Sequence, residues 1–122
     1  MTKITAIIPT FNEESNIQIA LDAVSFADEI IVIDSFSTDK TIAIVQKTKA
    51  IIVQRAFDNF SNQKNFAIGK ATNDWIFLLD ADETISESLQ KEIQKVINTT
   101  TTFAAFYIYR NFFFKRKKLK FS

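Results

Sequence analysis

The chain has 122 residues, of which 47% are hydrophobic and 24% are charged, a composition typical of one folded globular domain. It contains no Cys and no His, which excludes disulfide scaffolds, zinc sites built on these residues and an imidazole general base. The net charge is +1, but residues 1–114 carry 10 basic and 14 acidic side chains, so the positive charge is concentrated in the five cations at 115–120.

Four short apolar runs are predicted strands: residues 4–8, 30–33, 51–53 and 75–79. Each is nearly continuous in hydrophobic residues, which is typical of strands covered by helices on both faces. Helical patterns separate the runs, and this alternation predicts βαβ units. We therefore expect an α/β fold, three layers of α/β/α with a mainly parallel sheet, and one domain over residues 1–122.

Helical spacing of hydrophobic residues predicts the first helix over 17–24, with Asn12 as its N-cap. A second helix is predicted at about 38–47. A third is predicted at about 61–70, where Gly69 suits a C-terminal stop.

The fourth predicted helix carries hydrophobic residues from Leu89 to Ile97, and Thr84 with Glu87 fits a capping box at its start. Residues 98–102 are a predicted loop, and residues 103–109 are rich in strand-forming side chains. Residues 110–122 form a basic aromatic tail.

Short polar side chains follow three of the predicted strands: Pro9, Thr10 and Glu13 after the first, Asp34 after the second, and Asp80 and Asp82 after the fourth. In an open α/β sheet, ligands bind beyond the carboxyl ends of the strands, near the point where the strand order reverses. We therefore expect these residues to meet at one edge of the sheet.

The triplet of Asp80, Ala81 and Asp82 is the sharpest chemical feature. In an extended segment residues i and i+2 project to one side, so both carboxylates could reach one hard divalent cation such as Mg²⁺ or Mn²⁺. The chain has a single glycine, Gly69, which excludes glycine-rich phosphate loops, so phosphate could instead be held through a metal. The alternative is that acidic residues lie here only because a helix N-terminus favours them.

Two further residues are ambiguous on sequence grounds. Asp34 could accept hydrogen bonds from a nucleobase or ribose, or it could cap the turn after its strand. Lys64 is either a solvated helix residue or, if its helix faces the same cleft, a phosphate ligand.

The order of these motifs resembles the donor-binding half of a family 2 glycosyltransferase with the glycosyltransferase-A fold. The matching segments are 7–14 (IIPTFNEE), 32–41 (VIDSFSTDKT), 63–67 (QKNFA) and 74–83 (DWIFLLDADE). The spellings QKN and DADE are most similar to bacterial enzymes that add sugars to the lipopolysaccharide core.

The resemblance implies roles by position. Pro9, Thr10 and Glu13 would line the nucleotide pocket, Asp34 would contact the base, Lys64 would lie near the nucleotide, Asp80 would bind the nucleotide, and Asp80 with Asp82 would hold Mg²⁺ or Mn²⁺. Such enzymes transfer a sugar from a nucleotide diphosphate donor, here preferably a UDP-sugar, with inversion to a saccharide or lipid-linked acceptor in cell-envelope glycan synthesis.

The family's catalytic carboxylate lies after the Asp-x-Asp element, but no residue after Glu92 is acidic, so we assign no general base. The chain is then either a fragment of a longer enzyme or a degenerate relative, and we favour the fragment. Two hypotheses compete with this one. The first is a nucleotidyltransferase, but such an enzyme usually has a glycine-rich first loop, which residues 9–12 do not provide. The second is a non-catalytic module that binds membrane or nucleic acid.

Phenylalanines alternate with cations in residues 112–121, a composition that suits an anionic membrane surface or nucleic acid. We prefer the alternative that these aromatic residues form a strand meant to pack against structure missing from this chain, with the Lys side chains in water. We do not expect nucleic acid as a partner. Because no apolar run approaches about 20 residues, we expect a cytoplasmic protein, with peripheral contact to the inner face of the membrane as the remaining option.

Overall fold

The computed structural model describes residues 3–83, 85–99 and 113–115. The elements are β1 (Ile4–Thr10), α1 (Ile17–Ala23), β2 (Glu29–Asp34), α2 (Thr41–Gln46), β3 (Ile51–Gln54), α3 (Phe60–Lys70), β4 (Trp75–Leu78), α4 (Glu87–Thr99) and β5 (Phe113–Lys115). The four predicted strands and four predicted helices are therefore confirmed in kind and order.

The strands form one sheet in the order β3-β2-β1-β4-β5. Strands β1 to β4 are parallel, and β5 pairs antiparallel with β4. The chain first extends the sheet from β1 to β2 and β3, and then returns to place β4 on the other side of β1. The strand order thus reverses between β1 and β4, which is where open α/β sheets bind ligands.

Alternate side chains of the sheet enter two separate cores. Ile8 of β1 and Phe77 of β4 belong to the core shared with α1, α2 and α4, whereas Ile7 and Ile76 belong to the core under α3, with Ala67. Because successive residues of a strand point to opposite faces, helices cover both sides of β1, β2 and β4. The predicted three-layer α/β/α arrangement is confirmed.

The third strand departs from the expectation of a strand buried on both faces. In β3, Ile51 is 48% exposed, and the two central residues are only half-buried. This strand pairs only with β2 among the described strands, so it lies at the edge of the described sheet. Its apolar sequence indicates a strand, but it does not indicate a central position.

The N-cap of the first helix and the start of the second differ from the predictions. The first helix begins at Ile17 after Asn16, so the N-cap assigned to Asn12 is wrong. The second begins at Thr41 rather than near residue 38, because the segment before it is bonded to the loop after β1, as described below.

Helix α3 ends where predicted, but not because of Gly69, and helix α4 differs from the prediction at both ends. Helix α3 continues through Gly69 to Lys70, so this glycine is not a stop. Helix α4 is capped by Ser86, whose hydroxyl accepts from Leu89 N at 3.1 Å; Thr84 lies outside the described residues. Helix α4 extends to Thr99, so residues 98 and 99 are helical rather than loop.

The predictions for 100–102 and 103–109, and most of the tail at 110–122, lie outside the described residues. Within the tail, Phe113–Lys115 is a strand, as the packing alternative expected, but it pairs with β4 of this chain rather than with missing structure. None of the helices in the described ranges combines the length and the apolar character that crossing a membrane requires.

Candidate functional site

A cavity of about 510 Å³ opens at the carboxyl ends of β1, β2 and β4, where the strand order reverses. Five residues that the sequence singled out lie together on its wall: Pro9, Thr10, Glu13, Asp80 and Asp82. The rest of the described wall comes from the loops after β1 and β4, the β2–α2 and β3–α3 connections and helix α3. The expectation that polar residues meet at this edge is therefore correct for these five.

The loop after β1 is fixed by the loop after β2. Asn12 adopts a left-handed backbone conformation with φ of 49°, and its amide oxygen accepts from Thr38 N at 2.8 Å and Asp39 N at 3.3 Å. Asn tolerates this conformation better than most residues. The side chain that was expected to cap α1 instead joins the two loops that border the cavity.

Glu13 is held by the same pair of loops. Its backbone N–H donates to the Thr41 hydroxyl at 2.9 Å, and its carboxylate accepts from Asn16 Nδ2 at 3.0 Å. Asp39 supports this contact by accepting from both the N–H and the hydroxyl of Thr41. Burial acts to raise the pKa of Asp39, but hydrogen bonds from Thr41 and from Glu14 N outweigh it, so the pKa is lowered and the carboxylate stays charged.

Asp34 is completely buried, at 0% exposed. Its Oδ2 accepts from Ser37 N at 2.8 Å and from Gln54 Nε2 at 3.3 Å, and its Oδ1 accepts from the Ser37 hydroxyl. Of the two roles that the sequence left open for Asp34, a cap of the turn or a contact with the nucleotide, the structure shows the cap. Asp34 is not among the residues that line the cavity, whereas the next residue, Ser35, is. The contact of Asp34 with the nucleotide stays a prediction.

The segment with Asp80 and Asp82 is a turn rather than the extended strand that was expected. Glu83 N donates to Asp80 O at 2.9 Å, and Asp80 N donates to Glu83 Oε1 at 2.9 Å. Ala81 is buried in the core beside β4, while both aspartates are exposed and line the cavity. The two carboxylates therefore share one hollow with Thr10, although the geometric reason differs from the one predicted.

Helix α3 contributes to the wall through a residue that the sequence did not single out. Gln63 is 1% exposed and lines the cavity, whereas the neighbouring Lys64 is half-buried and does not line it. Gln63 Nε2 donates to the Ser35 hydroxyl at 3.0 Å and to Arg55 O at 3.2 Å. Ser35 and Gln63 both stand inside the motifs quoted above, which was the available signal.

Three aromatic side chains of the wall were also missed. Phe11, Phe57 and Phe60 are exposed, by 56%, 50% and 66%, and the rings of Phe57 and Phe60 meet edge to face at 5.0 Å. Large exposed apolar side chains that border a cavity mark ligand-binding surfaces more often than isolated ones do. The sequence predicted neither the β3–α3 connection as a wall nor this exposure.

An ion pair holds that connection. Arg55 donates to Asp58 through both terminal nitrogens, at 2.9 and 3.2 Å, and its guanidinium lies 5.4 Å from the centre of the Phe66 ring. The pKa of Asp58 is held well below its usual range, first by the hydrogen bond from Arg55 and then by those from Asn62 and Asn59 N, and the same pair raises the pKa of Arg55. Both groups therefore remain charged at neutral pH.

The charged residues that line the cavity are all acidic: Glu13, Asp80 and Asp82. No Lys or Arg is among the described residues of its wall. Nor do the described residues include a cluster of three or more acidic side chains that could hold a metal alone. Two carboxylates nevertheless fit the oxygen chemistry of Mg²⁺ or Mn²⁺, since Mg²⁺ typically takes one or two carboxylates together with substrate phosphates and water.

Sequence relatives are glycosyltransferases. The chain is 42% identical over 97 residues to an uncharacterized glycosyltransferase of Rickettsia felis, a match that covers 79% of this chain and 34% of the relative. It is 27% identical over 99 residues to the lipopolysaccharide core biosynthesis glycosyltransferase LpsC of Rhizobium meliloti, which covers 77% of this chain and 37% of LpsC. The chain thus spans about a third of the length of the curated relatives it matches.

Solved structures of glycosyltransferases have the same fold. TarS 1–349 of S. aureus, in complex with UDP-GlcNAc, superposes with a TM-score of 0.68 at 26% identity, covering 80% of this chain and 31% of TarS 1–349. The mannosyltransferase PcManGT of Pyrobaculum calidifontis, in complex with GDP-Man and Mn²⁺, gives 0.68 at 25% identity, covering 82% and 33%. The family model of glycosyl transferase family 2 matches residues 5–121. The chain belongs to glycosyl transferase family 2.

Proposed function

We propose that the cavity binds the nucleotide diphosphate of a sugar donor, preferably a UDP-sugar, together with Mg²⁺ or Mn²⁺. The observation that carries the proposal is the charge of the cavity. Glu13, Asp80 and Asp82 line it at the point where the strand order reverses, and no Lys or Arg lines it among the described residues. A diphosphate would meet repulsion from these carboxylates unless a cation lay between them. The complexes of TarS with UDP-GlcNAc and of PcManGT with GDP-Man and Mn²⁺ support this choice of ligands.

Asp80 and Asp82 would hold the metal. When bound, the metal would stabilise the negative charge that develops on the departing diphosphate. The protein's own contribution is positional, because the buried Ala81 and the Asp80–Glu83 hydrogen bonds fix the turn that carries both carboxylates. Asp80 would also contact the ribose.

The proposed roles of the other site residues depend on whether each residue lines the cavity. Pro9, Thr10 and Glu13 would contact the nucleotide directly. Asp34 would act through the turn that it caps, and Lys64 would reach the nucleotide only if donor binding brings its side chain to the cavity, since it does not line the wall.

In the whole enzyme, the sugar would be transferred with inversion to a saccharide or lipid-linked acceptor in cell-envelope glycan synthesis. The likeness to LpsC supports a cell-envelope role. This activity would take place in the cytoplasm, and residues 112–121 would provide any contact with the inner face of the membrane.

Calorimetric titration of UDP with and without Mn²⁺ tests the proposal. We expect binding that requires the metal and that falls at least about tenfold in Asp80→Asn and Asp82→Asn, since each variant loses a charged ligand. Asp22→Asn is the matched control, because Asp22 is exposed on α1 and does not line the cavity. Binding of UDP that is indifferent to Mn²⁺ and to both substitutions would overturn the proposal.

A further inference from the structure

A chain of hydrogen bonds connects the β3–α3 connection to the cavity wall after β2. Arg55 Nη1 donates to Gln63 Oε1 at 2.8 Å, and Gln63 Nε2 donates to the Ser35 hydroxyl at 3.0 Å. Gln63 is 1% exposed, so water does not compete for its amide. The orientation of a buried glutamine amide is therefore decided by these partners.

Two partners independently require the same orientation of that amide. The guanidinium of Arg55 can only donate, so it must face the amide oxygen. The backbone carbonyl of Arg55 can only accept, and it receives Gln63 Nε2 at 3.2 Å. Asp58 holds the guanidinium through two hydrogen bonds, so Arg55 cannot readily turn away. The nitrogen of Gln63 therefore faces Ser35.

This orientation determines what the Ser35 hydroxyl offers to a ligand. A hydroxyl has one hydrogen to donate, and at Ser35 the bond from Gln63 uses an acceptor site and leaves that hydrogen available. Within the described part of the chain, the Ser35 hydroxyl makes no hydrogen bond as a donor to a protein acceptor. Ser35 is half-buried on the cavity wall, so it presents a donor to whatever fills the cavity.

The sheet order indicates which part of a nucleotide would meet this donor. Ser35 follows β2 and the Asp80–Asp82 turn follows β4, with β1 between them. Neighbouring strands lie about 4.8 Å apart, so these two walls are separated by about 10 Å. If the diphosphate lies at the carboxylates, the nucleoside extends across β1, and its base is the part that reaches Ser35.

We propose that Gln63 is a positioning residue that fixes Ser35 as a hydrogen-bond donor to the nucleobase, and that the pair selects a base with a carbonyl oxygen at that edge. Uracil presents such an oxygen where cytosine presents an amino group, which is itself a donor. The pair therefore favours UDP over CDP. This inference rests on the proposed function, since it assumes that a nucleoside diphosphate occupies the cavity.

The test compares the dissociation constants of UDP and CDP, each with Mn²⁺, by calorimetry. Wild type should bind UDP about tenfold more tightly than CDP. The uracil oxygen would accept a hydrogen bond from Ser35, whereas the amino group of cytosine would place a second donor against the Ser35 donor, and about tenfold is the usual effect of such a difference. Ser35→Ala should weaken UDP until it lies within about twofold of CDP. Ser35→Thr keeps the hydroxyl and should keep the preference, while Ser25→Ala, on an exposed residue, should change nothing.

Gln63→Glu tests the positioning role itself. A carboxylate in this place cannot donate, so the Ser35 hydroxyl would turn its hydrogen inward and offer an acceptor to the cavity. The preference for UDP should then fall below about twofold or reverse in favour of CDP. Gln46→Glu is the matched control, because Gln46 is exposed on α2 and does not line the cavity. A residue that merely supported the fold would lower both affinities together.

Three results would overturn the inference while leaving the proposed function intact. These are wild-type binding of UDP and CDP with equal affinity, equal weakening of both ligands in Ser35→Ala, and an unchanged preference in Gln63→Glu. The first result needs no variant, so the inference can fail even if a variant does not fold. If wild type binds neither ligand in the presence of Mn²⁺, the proposed function fails, and the inference fails with it.

Discussion

Replacing Asp34 with Ala removes the acceptor that organises the turn after β2. The carboxylate accepts from Ser37 N at 2.8 Å, from the Ser37 hydroxyl and from Gln54 Nε2 at 3.3 Å, and it is fully buried. A hydrogen bond to a charged group contributes about 1.5 to 3 kcal/mol. The long bond from Gln54 contributes less, and half-buried Ser37 can recover part of its bonding from water. We expect the free energy of unfolding to fall by about 3 to 5 kcal/mol.

Urea unfolding followed by circular dichroism measures this loss, and the melting temperature should drop by about 10 to 20 °C. The variant should remain folded under mild conditions if the domain has a typical stability of about 5 to 15 kcal/mol. Asp22→Ala, on an exposed residue, should stay within about 0.5 kcal/mol of wild type. UDP affinity should fall together with stability, because Ser35 is the next residue in the chain.

The same experiment distinguishes the two roles that the sequence left open for Asp34. If Asp34 served only to contact the base and did not hold the turn, Asp34→Ala would weaken UDP binding and leave the unfolding curve unchanged. An unfolding midpoint unchanged within error would therefore refute the turn-cap argument, whatever happened to binding.

Three further predictions concern the scaffold of the site. The pKa of Asp58 is depressed in the folded state, so its ionised form stabilises the protein above its unfolded pKa of about 3.9. That contribution declines as the pH falls from this value toward the lower pKa of the folded state. Urea unfolding from pH 3 to 7 should show wild type more stable than Asp58→Asn at neutral pH, with the difference beginning to narrow below about pH 4; a difference that is constant over this range would contradict the argument. In urea unfolding, Ile8→Ala at the buried centre of the sheet should lower the free energy of unfolding by about 2 to 5 kcal/mol. Ile51→Ala, half-exposed on β3, should lower it by less than about 1 kcal/mol. Equal losses would contradict the edge position of β3. Phe36 has a left-handed backbone with φ of 61° and an exposed side chain. Phe36→Gly should therefore relieve backbone strain and raise the free energy of unfolding, measured by chemical denaturation, by about 0.5 to 1 kcal/mol. A fall in the free energy of unfolding would show instead that the ring packs on the fold.

The elements of the sheet were predictable because their signals are local. Apolar runs and helical spacing identify β1 to β4 and α1 to α4 within a few residues, since both depend on periodicity along the chain. Helix starts were less predictable. Asn12 precedes a helical pattern as a capping residue would, but its partners lie in the loop after β2, at Thr38 and Asp39, and nothing in the local sequence indicates that contact.

Among the site residues too, some could be identified from the local sequence and others could not. Asp80 and Asp82 were identifiable from spacing and from their place after a buried strand. The roles of Asp34 and Ser35 were not, because the direction of two adjacent side chains depends on where the strand ends and on the partners that one of them finds.

The amino-acid sequence by itself determined the alternation of strands and helices, the absence of cysteine and histidine chemistry, and the presence of paired carboxylates after a buried strand. These properties follow from residue identity and from periods of two and 3.6 residues, which need no knowledge of distant contacts. Only the tertiary structure decided that β3 lies at the edge of the described sheet, that Asp34 is enclosed in its turn, and that Gln63 orients Ser35. The edge position of β3 and the Gln63–Ser35 contact depend on groups 20 or more positions apart in the chain, which meet only once the sheet forms. Asp34 has two local bonds from Ser37, but its bond from Gln54 joins groups 20 positions apart.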